Sequence, residues 1–313
     1  MTKPILTNPI ENYYQKQVKL LLEILPEIDH YPCFALKGGT AINLFLRDFP
    51  RLSVDIDLTY LPLEPRGIFL NNLTHALEAL AQAVEKKSQN YRVMREYTKS
   101  ENQLYRLRVT KDYVTIKIEP NLVLRGSVYP SKKLSICSTA QERFFTTLNI
   151  NCLSFADIYA GKLCAALDRQ HPRDLFDVKL LLENEGITSE IRQAFVVYVA
   201  SSSRPIHELL NPNLLDVRNV FDKQFVGMTQ LPITYEALLA ARQQLISTLQ
   251  KYLTENEREF LLSVKEGEPK WELMPFTHLQ ELPALSWKLK NIRTMNNQKK
   301  QLMIDKLKTV LSL

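Results

Sequence analysis

The run Lys37-Gly38-Gly39-Thr40, a short helix-like stretch, then Arg51-Leu52-Ser53-Val54-Asp55-Ile56-Asp57-Leu58 constrains this chain more than any other segment. A glycine pair marks a turn where backbone N–H groups can approach phosphate oxygens closely. Fourteen residues separate Thr40 from Asp55, and the second carboxylate follows at Asp57. In a strand, side chains at i and i+2 share a face, so Ile56 and Leu58 would point the other way into a core. Two carboxylates on one face suit Mg²⁺ held against a triphosphate. The fold must therefore set a glycine loop beside a carboxylate-bearing strand. The plain alternative is a solvated hairpin with two chance aspartates.

The rest of the chain supplies a mixed α/β frame. Residues 9–30 carry Val18, Leu21, Leu22 and Leu25 at helical spacing, with Pro26 closing the run. Cys33–Leu36 reads as a short strand entering the glycine pair, and Thr40 as the cap of the next helix, with Ala41, Leu44 and Phe45 on its buried side. Leu52–Tyr60 reads as the strand bearing both aspartates. A helix over 68–87 has Leu70, Leu73, Leu77 and Leu80 as its stripe. Tyr105–Val109 and Tyr113–Glu119 form a hairpin, in which Val114, Ile116 and Ile118 alternate with Thr115, Lys117 and Glu119. From Ser154 the pattern becomes helical: 154–169, 173–183, 189–200, 234–252, 255–264 and 296–312. Ser154 with Asp157, and Thr254 with Glu257, read as capping boxes. Two domains are expected, an α/β domain over 1–150 and an all-helical domain over 151–313 that completes a nucleotide site.

The first segment resembles the polymerase-β-type nucleotidyltransferases, whose signature is Gly-Gly or Gly-Ser, a helix, then Asp-x-Asp on a strand. That resemblance implies metal ligation by Asp55 and Asp57, and phosphate contacts from Gly38, Gly39 and Thr40. Lys37 beside the loop is a further nucleotide-binding candidate, or a solvated surface lysine. These enzymes usually add a third carboxylate on a neighbouring strand. Glu119 is the candidate, with Asp112 in the hairpin turn a weaker one. Arg51 and Ser53 precede the aspartates and either contact nucleotide or orient the carboxylates.

A second constellation runs Tyr159-Ala-Gly161-Lys162-Leu-Cys-Ala-Ala-Leu167, then Arg173-Asp174-Leu-Phe-Asp177. Lys162 sits among small and apolar residues, where an ammonium must snorkel or meet an anion. It either faces a triphosphate or bridges to Asp174 and Asp177 and clamps two helices. Together with Gly-Gly-Thr and Arg-x-Ser-x-Asp-x-Asp, these motifs resemble the AbiEii/AbiGii-type nucleotidyltransferase toxins of bacterial toxin–antitoxin and abortive-infection systems. Trp271-Glu-Leu and Leu282-Pro-Ala-Leu-Ser-Trp287-Lys288-Leu-Lys-Asn291 are similar to that family's C-terminal region, so the resemblance covers most of 30–295. It implies a polymerase-β-like fold, an NTP substrate, Mg²⁺, a separate antitoxin protein and, in some relatives, transfer to the 3′ end of tRNA. It also implies a nucleotide-contacting lysine at Lys162 and a late essential aspartate at Asp174 or Asp177.

Composition sets outer limits. The 313 residues are 45% hydrophobic and 24% charged, ordinary for a globular chain with a sizeable core. A net charge of +6 permits a polyanionic partner without requiring one. Cys33, Cys137, Cys152 and Cys164 form no Cys-x-x-Cys and read as buried thiols of a reducing compartment, and the five histidines are scattered. No run of eighteen apolar residues exists, so a soluble cytoplasmic protein without membrane contact is expected. Three other activities use overlapping parts. Protein nucleotidylation needs the same catalytic groups. Asp55-Ile-Asp57-Leu-Thr59 also fits a haloacid-dehalogenase-like phosphatase, whose first aspartate is the nucleophile. A non-catalytic nucleotide-binding module is the third.

Overall fold

The computed structural model describes residues 9–229 and 231–313, with side chains described from residue 13. The chain forms two compact units. One comprises residues up to 122, 131–153 and 226–232; the other comprises 123–130, 154–225 and 233–313. Both are discontinuous in sequence, because each borrows a short segment from within the other's span.

The first unit is built on a seven-stranded mixed sheet. Its strands are β1 (Phe34–Lys37), β2 (Asp55–Tyr60), β3 (Tyr91–Tyr97), β4 (Leu104–Lys111), β5 (Val114–Pro120), β6 (Lys132–Ser135) and β7 (Asn149–Cys152), in the order β3-β4-β5-β2-β1-β7-β6. β2 runs antiparallel to β1 and parallel to β5, which puts the carboxylate strand at the centre. Helices α1 (Pro9–Asp29) and α3 (Arg66–Lys87) pack on the apolar side. Phe69, Leu73, Leu77, Leu80 and Val84 of α3 are buried there, as are Val114, Ile116 and Ile118 of β5. Thr115, Lys117 and Glu119 face the other way, as their alternation requires. The unit also contains α2 (Gly38–Ala41), continued by a π-helical turn over Ile42–Leu46, and α4 (Ser138–Phe144).

The second unit is helical: α5 (Phe155–Asp168), α6 (Pro172–Asn184), α7 (Ser189–Ser201), α8 (Ile206–Leu210), α9 (Arg218–Gln224), α10 (Tyr235–Tyr252), α11 (Glu255–Glu266), α12 (Pro283–Arg293) and α13 (Asn297–Leu311). Gly161 of α5 faces the Tyr198 ring of α7, where a Cβ would make an ordinary contact at 3.4 Å. Thr254 and Glu257 form the expected capping box of α11. No helix among the described residues is long and apolar enough to cross a membrane.

Several local expectations change. Pro26 does not close the first helix, which continues to Asp29 with the proline inside it. Thr40 is not a cap: α2 begins at Gly38 with Lys37 in the N-cap position, and Thr40 lies within the helix. The carboxylate strand begins at Asp55 rather than Leu52, leaving Arg51 and Ser53 in the segment before it. Ser154 caps α5, but the Asp157 carboxylate turns elsewhere, so that box is only half formed. Only Cys152 among the four cysteines is buried; the others are half-buried.

Candidate active site

In the sheet unit the glycine pair and the aspartates interlock through close packing. Gly38 has φ of +71°, and a Cβ at this position would lie 2.3 Å from Asp57 Oδ2. Both properties exclude a side chain here. A Cβ on Gly39 would lie 2.7 Å from Arg51 Nη2 and 2.9 Å from Ser53 Oγ. The two glycines therefore leave room for three side chains of the Arg51-x-Ser53-x-Asp55-x-Asp57 run. Thr40 is completely buried; its Oγ1 donates to the Asp55 carbonyl at 2.5 Å and lies 3.1 Å from Ser53 Oγ. Asn43, one turn on, donates from Nδ2 to the Gly39 carbonyl at 2.8 Å. Arg51 is buried, donates from Nη1 to the Leu52 carbonyl at 2.9 Å, and bridges to Thr229.

This geometry gives the signature residues two different tasks. Arg51, Ser53 and Thr40 are buried and bonded around the start of β2, where they fix the backbone that presents the carboxylates. The Thr40 hydroxyl is committed to that backbone and points at no open phosphate loop. Asp55 and Asp57 are half-buried on the polar face of β2. Their partners across the sheet continue the row. Lys37 of β1 and Glu119 of β5 both stand opposite Asp57, and Lys117 stands opposite Asp55. A cleft of about 260 Å³ opens there, lined by Lys37, Asp57, Tyr105, Glu119, Asn121 and Leu122 among others.

Glu119 stands where a third carboxylate is expected, but another group engages it. Arg106 of β4 grips it with a two-pronged bond, Nε to Oε2 at 3.0 Å and Nη2 to Oε1 at 2.9 Å. Arg106 also donates to Glu96 of β3 at 2.9 Å, so Glu119 ends a charged ladder across three strands. Asp112 lies in the β4–β5 turn with φ of +55°, outside the cleft-lining residues. Among the described residues, no three His, Cys, Asp or Glu side chains gather as a metal cage. Two hard carboxylate donors on one face, with no soft or imidazole ligand, suit Mg²⁺, which takes few protein ligands and fills its octahedron with phosphate oxygens and water.

In the helical unit Lys162 of α5 lies almost wholly buried between two carboxylates of α6. Its Nζ is 2.7 Å from Asp174 Oδ1 and 3.0 Å from Asp177 Oδ2. Arg169 adds bonds to Asp174 at 2.6 and 3.1 Å. Burial would raise the Asp174 pKa, but Lys162 and Arg169 outweigh it and hold the carboxyl well below the usual range. The cluster clamps α5 to α6, and His171 and Pro172 set the start of α6: the His171 ring accepts from Arg173 N at 3.1 Å, and Pro172 takes the first turn.

A family model described as nucleotidyl transferase AbiEii toxin, type IV TA system, matches residues 19–291. The chain belongs to the AbiEii family. It is a nucleotidyltransferase toxin of a type IV toxin–antitoxin system, which implies a nucleoside triphosphate substrate and an antitoxin partner. Among solved structures, the AbiEii-family chain is similar to MenT4, the nucleotidyltransferase toxin Rv2826c from Mycobacterium tuberculosis H37Rv. The match has a TM-score of 0.63 at 13% identity and covers 97% of this chain and 95% of that one. At that identity the likeness speaks for the fold, a mixed sheet followed by a helical region. No curated protein matches the sequence. The phosphatase reading falls with this assignment. Its nucleophile follows a buried strand, whereas here Asp55 is the first residue of β2.

Sequence reasoning missed two contributors and the main role of a third. Asn43 supports the glycine loop, and its signal was a lone amide in an apolar helix face. Arg106 carries Glu119, visible only once β4 and β5 are paired. Asp157 is buried and accepts from Val128 N at 2.8 Å, Tyr129 N at 3.0 Å and Ser154 Oγ at 2.6 Å, which anchors the 123–130 segment to α5.

Proposed function

We propose that this toxin transfers a nucleotide from an NTP to an RNA acceptor, the 3′ end of tRNA, with Mg²⁺ held by Asp55 and Asp57. The observation that carries the reading is the packing of Gly38 on the Asp57 side chain, so close that a Cβ there would stand 2.3 Å from Oδ2, which sets the glycine turn against the carboxylate strand. The bound metal would neutralise the triphosphate and stabilise the attacking and leaving oxygens during transfer. Asp55 and Asp57 hold their oxygens on one face at a backbone position fixed by Thr40 and Ser53. The turn at Gly38 and Gly39 sets backbone against the Asp57 carboxylate, the side from which phosphate oxygens would approach in this reading. Lys37, opposite Asp57, supplies a positive charge at the cleft rim. Glu119 serves as the third acid in this reading, with Arg106 positioning it. Lys162, with Asp174 and Asp177, is assigned to the helical unit's share of nucleotide use.

The test is direct. Purified protein is incubated with Mg²⁺, each α-³²P-labelled NTP in turn, and total bacterial tRNA, beside the Asp55→Ala/Asp57→Ala variant. Label on tRNA from the wild type alone supports the reading and names the base. Label on a protein band instead replaces it with protein nucleotidylation. Absence of label anywhere, with NTP still bound, leaves a non-catalytic nucleotide-binding module.

A further inference from the structure

The net positive charge of this chain falls at its end. Residues 283–313 hold seven of the 40 lysines and arginines and one of the 34 acids, leaving 33 against 33 in the preceding residues. The last two helices therefore carry the whole net charge of +6. Elsewhere many of the basic side chains are paired with acids. Arg95 pairs with Glu78 and Glu85, Arg106 with Glu96 and Glu119, Arg108 with Glu96, and Lys111 with Glu23. Among the described residues, none of the seven basic groups of α12 and α13 lies in a salt bridge.

These groups are also arranged. Trp287, Lys290 and Arg293 follow one another at three-residue spacing along one face of α12. All three are exposed, and the indole is 53% accessible with the Lys290 ammonium 5.8 Å from its centroid. Arg293 and Lys300 converge on Gly267, each with an atom 3.6 Å from where a Cβ on that glycine would stand. Behind them Lys265 of α11 is buried against the sulfur atoms of Met295 and Met303. Burial, and then the charges of Lys300 and Lys299, push its pKa down. Like charges held together without counter-charge cost stability, and a polyanion would remove that cost.

We propose that the α12–α13 face of the helical unit, centred on Trp287, Lys290, Arg293, Lys299 and Lys300, is a docking surface for the phosphate backbone of RNA. An acidic protein is the competing occupant. Protein interfaces need a desolvated apolar centre, whereas protein–nucleic acid interfaces are polar and strongly positive. This face offers unneutralised charge and one accessible indole, which suits phosphates and a stacked base. The inference rests on the RNA-acceptor reading of the activity and extends it from the reacting end to the body of the acceptor.

The test compares the wild type with Lys290→Gln/Arg293→Gln/Lys299→Gln/Lys300→Gln and with a control that removes equal charge elsewhere, Lys86→Gln/Lys132→Gln/Lys223→Gln/Lys251→Gln. Binding of fluorescent total tRNA is measured by anisotropy across a salt series without NTP, and melting confirms that each variant is folded. The patch variant is expected to bind at least tenfold more weakly at low salt, with a log–log salt slope flatter by roughly three; the control stays within about twofold of wild type. Equal binding by patch variant and wild type, or equal losses in patch variant and control, overturns the proposal. So does a wild type that ignores tRNA but binds polyglutamate in a patch-dependent way, which would assign the face to an acidic protein. Labelled NTP is then added to separate the two readings. Patch-dependent tRNA binding without transfer to RNA overturns the acceptor reading alone. Transfer to tRNA with the same KM for tRNA in patch variant and wild type overturns the docking surface alone.

Discussion

At the residue scale, the site is decided by what glycine leaves out. Gly38→Ala would bring a methyl to 2.3 Å from Asp57 Oδ2 at a φ of +71°. Either the carboxylate or the loop must then move. The expected result is a loss of transfer of about 100-fold, since misplacing a reacting group by about 1 Å costs that much, with NTP and tRNA still bound. Single-turnover labelling measures it. Asp55→Ala and Asp57→Ala should each abolish transfer, because one carboxylate remains to hold the metal. Full toxicity in the double variant at equal expression contradicts the assignment. Thr40→Val keeps the shape and deletes the bond to the Asp55 carbonyl. It should cost about 1–3 kcal/mol in urea denaturation, the range for a buried acceptor left unsatisfied. The glycine pair and the two aspartates were legible in the sequence because their spacing is local. The roles of Arg51 and Ser53 stayed open between contacting nucleotide and orienting the carboxylates, and Thr40 read as a helix cap, because burial at the start of β2 depends on the strand beginning three residues later than its apolar run suggests.

Elements show the same division. β5 was readable from clean alternation. β3 was not, since Met94 stands 62% exposed on the polar face and hides the period. The hairpin was visible, yet the Glu119–Arg106 bond needs the register of β4 against β5. On α5 and α6 the sequence left open whether Lys162 faces nucleotide or clamps helices, and the 2.7 and 3.0 Å contacts make the clamp a structural fact. Lys162→Met would take the shared ammonium from two buried carboxylates and leave Asp174 to Arg169. Breaking such a pair from one side costs about 3–5 kcal/mol, which chemical denaturation would read. Transfer measured below the unfolding midpoint then tests for a separate role in nucleotide use. The clamp also has an acid limit. The Asp174 pKa is lower in the folded than in the unfolded chain, where it is about 3.9. Its contribution is therefore complete above about pH 4 and drains away as pH falls through the depressed folded value. Asp174→Asn should flatten the fall of melting temperature below pH 4.

For the whole molecule, the borrowed segments matter more than the point where composition changes. The sequence pattern placed one boundary near residue 150, because helical periodicity starts there. Two returns are invisible to periodicity. Residues 123–130 join the helical unit through the Asp157 carboxylate, and 226–232 join the sheet unit through Leu52 N to Met228 O at 2.8 Å and Thr229 Oγ1 to Pro50 O at 3.2 Å. A fragment of 154–313 should accordingly melt well below one of 123–313, because it loses both backbone amides that hydrogen-bond the buried Asp157 carboxylate. Differential scanning calorimetry on the two fragments checks this.

The return at 226–232 has a consequence for synthesis. Asp55 and Asp57 leave the ribosome early, but the partner of Arg51 is Thr229. A nascent chain therefore carries both carboxylates for most of its elongation without the bridge between Arg51 and Thr229. A chain cut short of Thr229 lacks this bridge, which closes only once nearly three-quarters of the residues have been made.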